Sequence, residues 1–394
     1  MRRPVGGRHL KRIFALTPVL STLLVTGCGF VNSGSTTKAD IVIAASLELT
    51  GPQAEVGKAY EDALRLKVEQ INRSRRPSDR QVALKVSDNR SDVGVSSAHI
   101  DELAKDPAVS GLITGWCSEC LLAAAGNINA KGVPTIALAP STQVSTPVGE
   151  RKYIFKLAPN ANHDANALLR ALVDSGVRSV RFMASTDNYG QDAQEAMTAM
   201  AERLSLRDLS VSPLNAGDSR YTQAARSITQ AKPDAVVVLA YPTVAVGAVD
   251  ALHEAGYKGR VALDATAAGA LFITGSATHL EGATLVFTPT LSVDDVIATT
   301  PAKAAQKQWF QDYTARYGDY QAPASFAADA VQLLVDAADK AGSPTDHTAI
   351  RAALESVRTD GLTGPIRLNP NDHSGLMPQS LAILVARHGR WRLG

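Results

Sequence analysis

Two kinds of hydrophobic pattern alternate along most of the chain. Short continuous apolar runs, such as Ile41–Ala45 and Ala235–Leu239, are typical of parallel strands buried on both faces. Between such runs, apolar residues recur every three or four positions; the segment after Gly57 does this at Tyr60, Ala63, Leu64, Val68 and Ile71. Strands that alternate with helices predict right-handed crossovers and parallel sheets covered by helices.

More strands are predicted than a single hydrophobic core usually contains. The alternation also restarts after the apolar strand Tyr153–Phe155. We therefore predict an α/β protein with two doubly wound parallel-sheet lobes. Open sheets of this kind bind ligands at the carboxyl ends of their strands, so the loops there are the candidate site.

The first 39 residues follow another pattern. Five basic residues and no acidic one precede an apolar stretch, Ile13–Val25, which is too short to span a bilayer but suits a secretory signal. Thr26 and Gly27 then precede Cys28, and this spacing resembles a bacterial lipobox. We predict a lipoprotein signal peptide over 1–27, lipidation of Cys28, a flexible small and polar tether over 28–39, and a body anchored on the extracytoplasmic face of the cell membrane. The alternative is an ordinary signal peptide with an incidental cysteine.

Charge and motifs exclude several classes of function. The formal net charge of +2 becomes −3 without residues 1–27, so the remaining chain offers no basic footprint for nucleic acid. The sequence contains no G-x-S-x-G, H-E-x-x-H or P-loop motif, and its eight histidines lack metal-ligand spacing. We therefore expect no enzyme, no cofactor and no metal.

Several short motifs occur together in a fixed order from Ile41 to Trp391. They are Leu49–Pro52 before a helix that starts at Gly57, Ser87–Asn89, Gly132–Ile136, Asp187–Gly190, Ala327–Val331 and Asp360–Leu368. Through them the chain resembles the branched-chain amino-acid (leucine-binding-protein-like) family, the type I periplasmic binding proteins of ABC importers.

The resemblance implies two lobes that are joined by a three-strand hinge and close on a ligand. The chain would cross between lobes near Lys156, Pro289 and Gly364. The implied lobes are 40–156 plus 289–363 and 157–288 plus 364–394. The implied function is capture of a small amino-acid-like ligand for ABC permease subunits; sensing for a membrane signalling partner is the alternative.

The first lobe supplies four candidate ligand-binding residues. Ser118 follows a predicted strand and precedes an apolar helix, so we predict that it caps a helix N-terminus, where free N–H groups suit a carboxylate. In the family, a serine at this place holds the ligand's α-carboxylate. The resemblance further implies a carbonyl from Ala139 and a hydroxyl from Ser141, with Thr142 as the rival because Pro140 blurs the register.

The second lobe supplies three more candidates by resemblance. Tyr241 corresponds to the family's aromatic over the ligand, and Asp264 to the acid that meets the ligand ammonium. Asp264 alternatively caps the following turn. Tyr189 either lines the lobe boundary or packs in the core.

Two departures from the family bear on the ligand. Val56 stands where the family's leucine and isoleucine binders have an aromatic, and Trp116 either walls the side-chain pocket or stacks on an aromatic ligand. Beside Ser118, Cys117 and Cys120 either form a disulfide or remain free thiols, since outside the cytoplasm such a pair can oxidise. Amides, urea and aromatic acids therefore stay open as ligands beside amino acids.

Overall fold

The computed structural model describes residues 40–76, 78–215, 220–269 and 279–394. The predicted signal peptide, Cys28 and the tether 28–39 lie outside these ranges. Among the described residues, no helix combines the length and apolar character needed to cross a membrane. The fold is α/β, as predicted, and is built around two large sheets.

The first sheet is entirely parallel. Its strands, in spatial order β2-β1-β3-β4-β5, are β1 (Ile41–Leu47), β2 (Val82–Asp88), β3 (Val109–Thr114), β4 (Thr135–Ala137) and β5 (Ile154–Lys156). Three helices connect them: α1 (Ala54–Ser74), α2 (Val93–Leu103) and α3 (Ser118–Lys131). The side chains of β3 are buried throughout, which explains its continuous run without polar alternation.

The second sheet and its connecting helices come next along the chain. Strands and helices alternate there in the order α4 (Ala161–Asp174), β6 (Val180–Ser185), α5 (Asn188–Arg203), β7 (Val211–Leu214), α6 (Arg220–Ala231), β8 (Ala235–Leu239), α7 (Pro242–Glu254), β9 (Arg260–Leu263) and β10 (Thr284–Phe287). These strands pair in parallel as predicted.

The chain then returns to the first sheet before it ends on the second. The remaining elements are α8 (Pro301–Tyr317), α9 (Ala324–Ala341), α10 (His347–Leu354), β11 (Arg358–Gly361), β12 (Gly364–Arg367), β13 (Ala382–Arg387) and β14 (Arg390–Leu393). Helix α9 packs against α1, β1 and β3. Strand β13 pairs antiparallel with β10, and β14 antiparallel with β13, so the expectation of purely parallel sheets is wrong at this edge. The β13–β14 connection is a tight turn, which permits only antiparallel pairing.

Two connecting segments run side by side where the chain passes between the sheets. The backbone N–H of Lys156 donates to the carbonyl of His373 (2.8 Å), and the N–H of Gly375 donates to the carbonyl of Lys156 (2.9 Å). This pairing joins the first predicted crossing, at Lys156, to a segment that lies further along the chain than Gly364, where the last crossing was predicted. The lobe boundaries themselves stay a prediction.

Candidate functional site

Aromatic side chains from both sheets meet at the carboxyl ends of the strands. The Trp116 ring, after β3, lies 6.0 Å from the ring of Tyr60 on α1 and 6.0 Å from that of Tyr241, which follows β8. Tyr241 in turn lies 5.4 Å from Tyr189 on α5. The structure therefore brings together three predicted site residues, Trp116, Tyr189 and Tyr241, and adds Tyr60.

The cap of α3 differs from the prediction by one residue. Cys117 is the N-cap, because its Sγ accepts from the N–H of Cys120 (3.1 Å), and Ser118 is the first helical residue. The fully buried Ser118 Oγ instead accepts from the N–H of Ser141 (3.3 Å). Ser118 thus ties the start of α3 to the loop after β4.

The two cysteines are joined in this structure by a disulfide, with their sulfurs 2.01 Å apart. One carboxylate oxygen of Glu48 and both sulfurs lie within 4.8 Å of one another, and all three residues are buried. Metals bind cysteine as the thiolate, so the bonded sulfurs do not form a metal site with Glu48.

The loop after β4 presents backbone groups more than side chains. Ala139 is fully buried in the core around α3. The Ser141 hydroxyl oxygen accepts from the N–H of Gln143 (3.2 Å) and caps a short 3₁₀ turn, Thr142–Val144. The N–H of Thr142 donates to the carboxylate of Asp192 on α5 (2.6 Å), so this loop also contacts the second sheet's helices.

Asp264, at the end of β9, is a buried acid with spare acceptor capacity. Its Oδ2 accepts from the Tyr189 hydroxyl, whereas its Oδ1 has no hydrogen-bond partner among the described residues. Burial raises the pKa of Asp264 to about 7, against the opposing effect of its hydrogen bonds. Burial and the charge of Asp264 also raise the pKa of Asp164 on α4. This pair favours a ligand that supplies a positive charge or a donor, since unpaired buried charge is costly.

The cationic side chain near Asp164, that of Lys156, already makes hydrogen bonds within the protein. Lys156 is fully buried, and its Nζ donates to the carbonyls of Ala158 (2.9 Å) and Pro159 (2.5 Å) and to Oδ1 of Asn160 (2.8 Å). Burial lowers the pKa of Lys156 to about 8. Because all three acceptors belong to residues 158–160, the Lys156 side chain stabilises the backbone of the segment that follows β5.

Glu48 is a site residue that the sequence reasoning missed. It follows β1 and is 1 % exposed, and its carboxylate accepts from the N–H groups of Trp116 (3.0 Å) and Cys117 (3.2 Å) and from Nδ2 of Asn89 (3.1 Å). Burial raises the pKa of Glu48 despite these bonds. Its position directly after a buried strand was the available signal, because polar residues at strand ends are site candidates in open sheets.

A cavity of about 370 Å³ lies where the start of α1 faces the strand ends of the second sheet. Val56 lines it from one side, and Asp187 and Tyr241 line it from the other. A second cavity beyond the Trp116 ring measures only about 20 Å³, enough for one water molecule. The larger cavity has the size of a small-molecule site.

Two hydrogen bonds join elements of the two sheets near this cavity. The Glu119 carboxylate on α3 accepts from the N–H of Asn188 at the start of α5 (2.9 Å). The Thr142–Asp192 bond described above is the second. Both join an element of the first sheet to an element of the second through side chains that can exchange their partner for water.

The chain belongs to the periplasmic binding protein family, whose pattern matches residues 40–389. Members of this family are extracytoplasmic solute-binding receptors.

Solved structures share the fold. An extracellular ligand-binding receptor from Rhodopseudomonas palustris HaA2 superposes with a TM-score of 0.81 at 22 % identity, covering 91 % of this chain and 100 % of that one. The leucine-binding protein LivK from Thermotoga maritima MSB8 gives 0.77 at 18 % identity, with 90 % and 97 % covered. The solute-binding protein of an ABC transporter from Rhodopseudomonas palustris BisB5, in complex with 3,4-dihydroxybenzoic acid, also gives 0.77 at 18 % identity, with 90 % and 95 % covered. The type I periplasmic binding protein fold is thereby confirmed.

Proposed function

We propose that this protein is a lipid-anchored, extracytoplasmic receptor that captures a small amino-acid-like ligand between its two sheets and delivers it to the permease subunits of an ABC importer. The observation that carries the proposal is the ring contact between Trp116 after β3 and Tyr241 after β8, because Tyr241 also lines the ligand-sized cavity. Family membership supports it, and the lipobox at Cys28 supports the anchor.

The assigned roles follow from the contacts. Asp264 accepts from the ligand's ammonium or another donor through its unpartnered Oδ1. Tyr241 and Trp116 cover the ligand's apolar part. Ser118 positions the start of α3 against the Ser141–Thr142 loop, and in the family's manner it also contacts the ligand.

A thermal-shift screen of the full-length protein, stripped of ligand by unfolding and refolding, tests the proposal. The panel contains amino acids, amides, urea and aromatic acids. A ligand at 100 times its Kd adds about 2.7 kcal/mol of stability. If no small molecule of the panel stabilises the protein, the solute-receptor proposal is wrong.

The variant Ser118→Ala tests the role of the α3 segment. We expect at least a tenfold loss of affinity, since the variant removes a buried oxygen that fixes the loop after β4. Ser110→Ala is the matched control, because Ser110 is equally buried and its Oγ also accepts a backbone N–H, that of Val42 (3.0 Å), on the opposite half of β3. An equal effect of both variants on affinity would contradict the assignment.

Delivery and anchoring need separate measurements. Co-purification from solubilised membranes with permease subunits supports transport, whereas co-purification with a receptor or kinase supports the sensing alternative. Cys28→Ala releases the protein from the membrane fraction if Cys28 carries the lipid.

A further inference from the structure

Three side chains of metal-binding types lie together at the start of α3. Both sulfurs of the Cys117–Cys120 pair and one carboxylate oxygen of Glu48 lie within 4.8 Å of one another, and all three residues are buried. A tetrahedral zinc ion, with Zn–S of about 2.3 Å and Zn–O of about 2.1 Å, holds its ligand atoms about 3.7 Å apart. Small side-chain rotations therefore bring these three atoms to one metal ion, once the two sulfurs are no longer bonded to each other.

The backbone around the two cysteines suits two ligands of one ion. A C-x-x-C spacing is typical of zinc sites. Cys117 is the N-cap of α3 and Cys120 lies in its first turn, with Cα atoms 5.2 Å apart. The N–H of Cys120 donates to Cys117 Sγ (3.1 Å), and the positive end of the helix dipole lies at the same place. Both features favour the thiolate, which is the form that binds metals.

Glu48 supplies the third ligand from directly after β1. Its carboxylate accepts from the N–H groups of Trp116 (3.0 Å) and Cys117 (3.2 Å) and from Nδ2 of Asn89 (3.1 Å). Of these three bonds, only that from Trp116 goes to Oε2, so this oxygen keeps a lone pair for a cation. Hydrogen bonds of this kind hold a ligand oxygen in place behind a metal ion.

A divalent cation adds no net charge to this buried site. The three hydrogen-bond partners of Glu48 named above are neutral groups. Two thiols release two protons as they bind a divalent cation, so the charge of the ion cancels the charge of the two thiolates. The region carries the charge of the Glu48 carboxylate both before and after binding, and the ion therefore brings no uncompensated buried charge.

We propose that Cys117, Cys120 and Glu48 form a site for a thiophilic divalent cation such as Zn²⁺, which becomes available when the disulfide is reduced. A dithiol reductant supplies two electrons and two protons, the S–S bond breaks, and the reductant becomes a cyclic disulfide. Zn²⁺ then replaces the two thiol protons, and the Glu48 carboxylate is the third protein ligand. None of these three residues lines the cavity of about 370 Å³, so the site is distinct from that cavity and does not depend on the receptor function.

Metal titration of the reduced full-length protein tests the proposal. The chain carries Cys28→Ala, because Cys117 and Cys120 are then its only thiols. It is reduced with dithiothreitol, desalted without oxygen and titrated with Co²⁺, whose thiolate complexes have a strong near-ultraviolet charge-transfer band. We expect this band to saturate at one Co²⁺ per chain and to disappear when Zn²⁺ displaces Co²⁺. The oxidised protein should show no band, since its sulfurs are bonded to each other.

The variant Glu48→Gln tests the third ligand. Glutamine keeps the size and an acceptor oxygen but removes the carboxylate, and we expect the affinity for Zn²⁺ to fall at least about tenfold. Glu102→Gln, at an exposed acid of α2, is the matched control and should leave the affinity unchanged. Zinc-edge X-ray absorption of the protein that retains Glu48 should show two sulfur ligands, and this measurement does not depend on how the variant folds.

Three results would overturn the proposal. A reduced protein without the band has no thiolate site. A band that persists in the double variant Cys117→Ser with Cys120→Ser arises from other residues. Equal Zn²⁺ affinities of Glu48→Gln and its parent exclude the three-ligand site. None of these results bears on the thermal-shift screen of solutes, so the proposed receptor function stands or falls separately.

Discussion

At the scale of single residues, the buried carboxylate of Asp264 is proposed to favour ligand binding and lowers the stability of the ligand-free protein at high pH. Its folded-state pKa of about 7 lies above its ordinary value of 3.8, so the folded protein holds this proton more tightly than the unfolded chain does. The stabilising contribution is therefore complete below about pH 4 and is lost as the pH rises through 7. An ionised carboxylate that is buried without a cationic partner is costly.

The variant Asp264→Asn should therefore stabilise the free protein at high pH. Near pH 4 we expect little difference from wild type, whereas at pH 8 the variant should be more stable by about 4 kcal/mol. Urea unfolding at both pH values measures this. The same variant should bind a ligand that carries an ammonium group at least tenfold more weakly, since it removes the charge proposed to meet that group.

Asp106→Asn provides a control of opposite sign. A hydrogen bond from Lys85 leads the effects that lower the pKa of this exposed acid, so its loss should slightly destabilise the protein at pH 8. Equal stability of wild type and Asp264→Asn at pH 8 would show that burial of Asp264 has no energetic cost.

At the scale of elements, the start of α3 is held by several long-range contacts. Glu48, directly after β1, accepts from the N–H groups that precede it, Ser141 in the loop after β4 donates to Ser118, and Glu119 contacts the start of α5. The Cys117–Cys120 disulfide closes its first turn. One turn thus joins two strand ends of the first sheet to a helix of the second.

Replacing both cysteines by serine should cost only about 2 kcal/mol in free energy of unfolding. A disulfide that closes so short a loop removes little entropy from the unfolded chain. Ser at position 117 also remains a good N-cap. Urea unfolding of the double variant, beside wild type with and without a dithiol reductant, measures the cost. A loss above about 4 kcal/mol would mean that the disulfide also holds the contacts of Glu48.

The same element shows how far the sequence predicts this structure. The strand–helix alternation was readable because buried parallel strands are continuous apolar runs, as in β1 and β8. The start of α3 was predicted one residue too late for its cap, since Cys117 Sγ competes with Ser118 Oγ and local sequence does not rank them.

Contacts between distant segments were beyond sequence reasoning. Glu48 and Cys117 are separated by 69 residues, and no periodicity connects them. The positions of Tyr241 and Asp264 at strand ends were predictable from topology and resemblance. Their roles toward a ligand stay predictions, since the contacts seen here are with other residues of the protein.

At the scale of the whole molecule, two hydrogen bonds span the predicted cleft between the sheets. They join Glu119 to Asn188 and Asp192 to Thr142 across the two sheets. Each pairs a carboxylate with a backbone N–H that water can satisfy when the cleft opens, so the closed state gains only a modest net free energy from them. Loss of either hydrogen bond is therefore expected to shift the equilibrium between the open and closed forms.

Removing both carboxylates, as Glu119→Ala with Asp192→Ala, should therefore favour the open form in the absence of ligand. Small-angle X-ray scattering should show a larger radius of gyration than for wild type, and saturating ligand should return it to the wild-type value. Apparent affinity should fall about tenfold if the closed fraction falls tenfold, because the binding-competent population scales the apparent Kd. Glu195→Ala, which removes an exposed acid from the same helix as Asp192, is the control and should change neither quantity. An unchanged radius together with reduced affinity would place the effect of these carboxylates in direct ligand contact, and the hinge-closure prediction would lose its support.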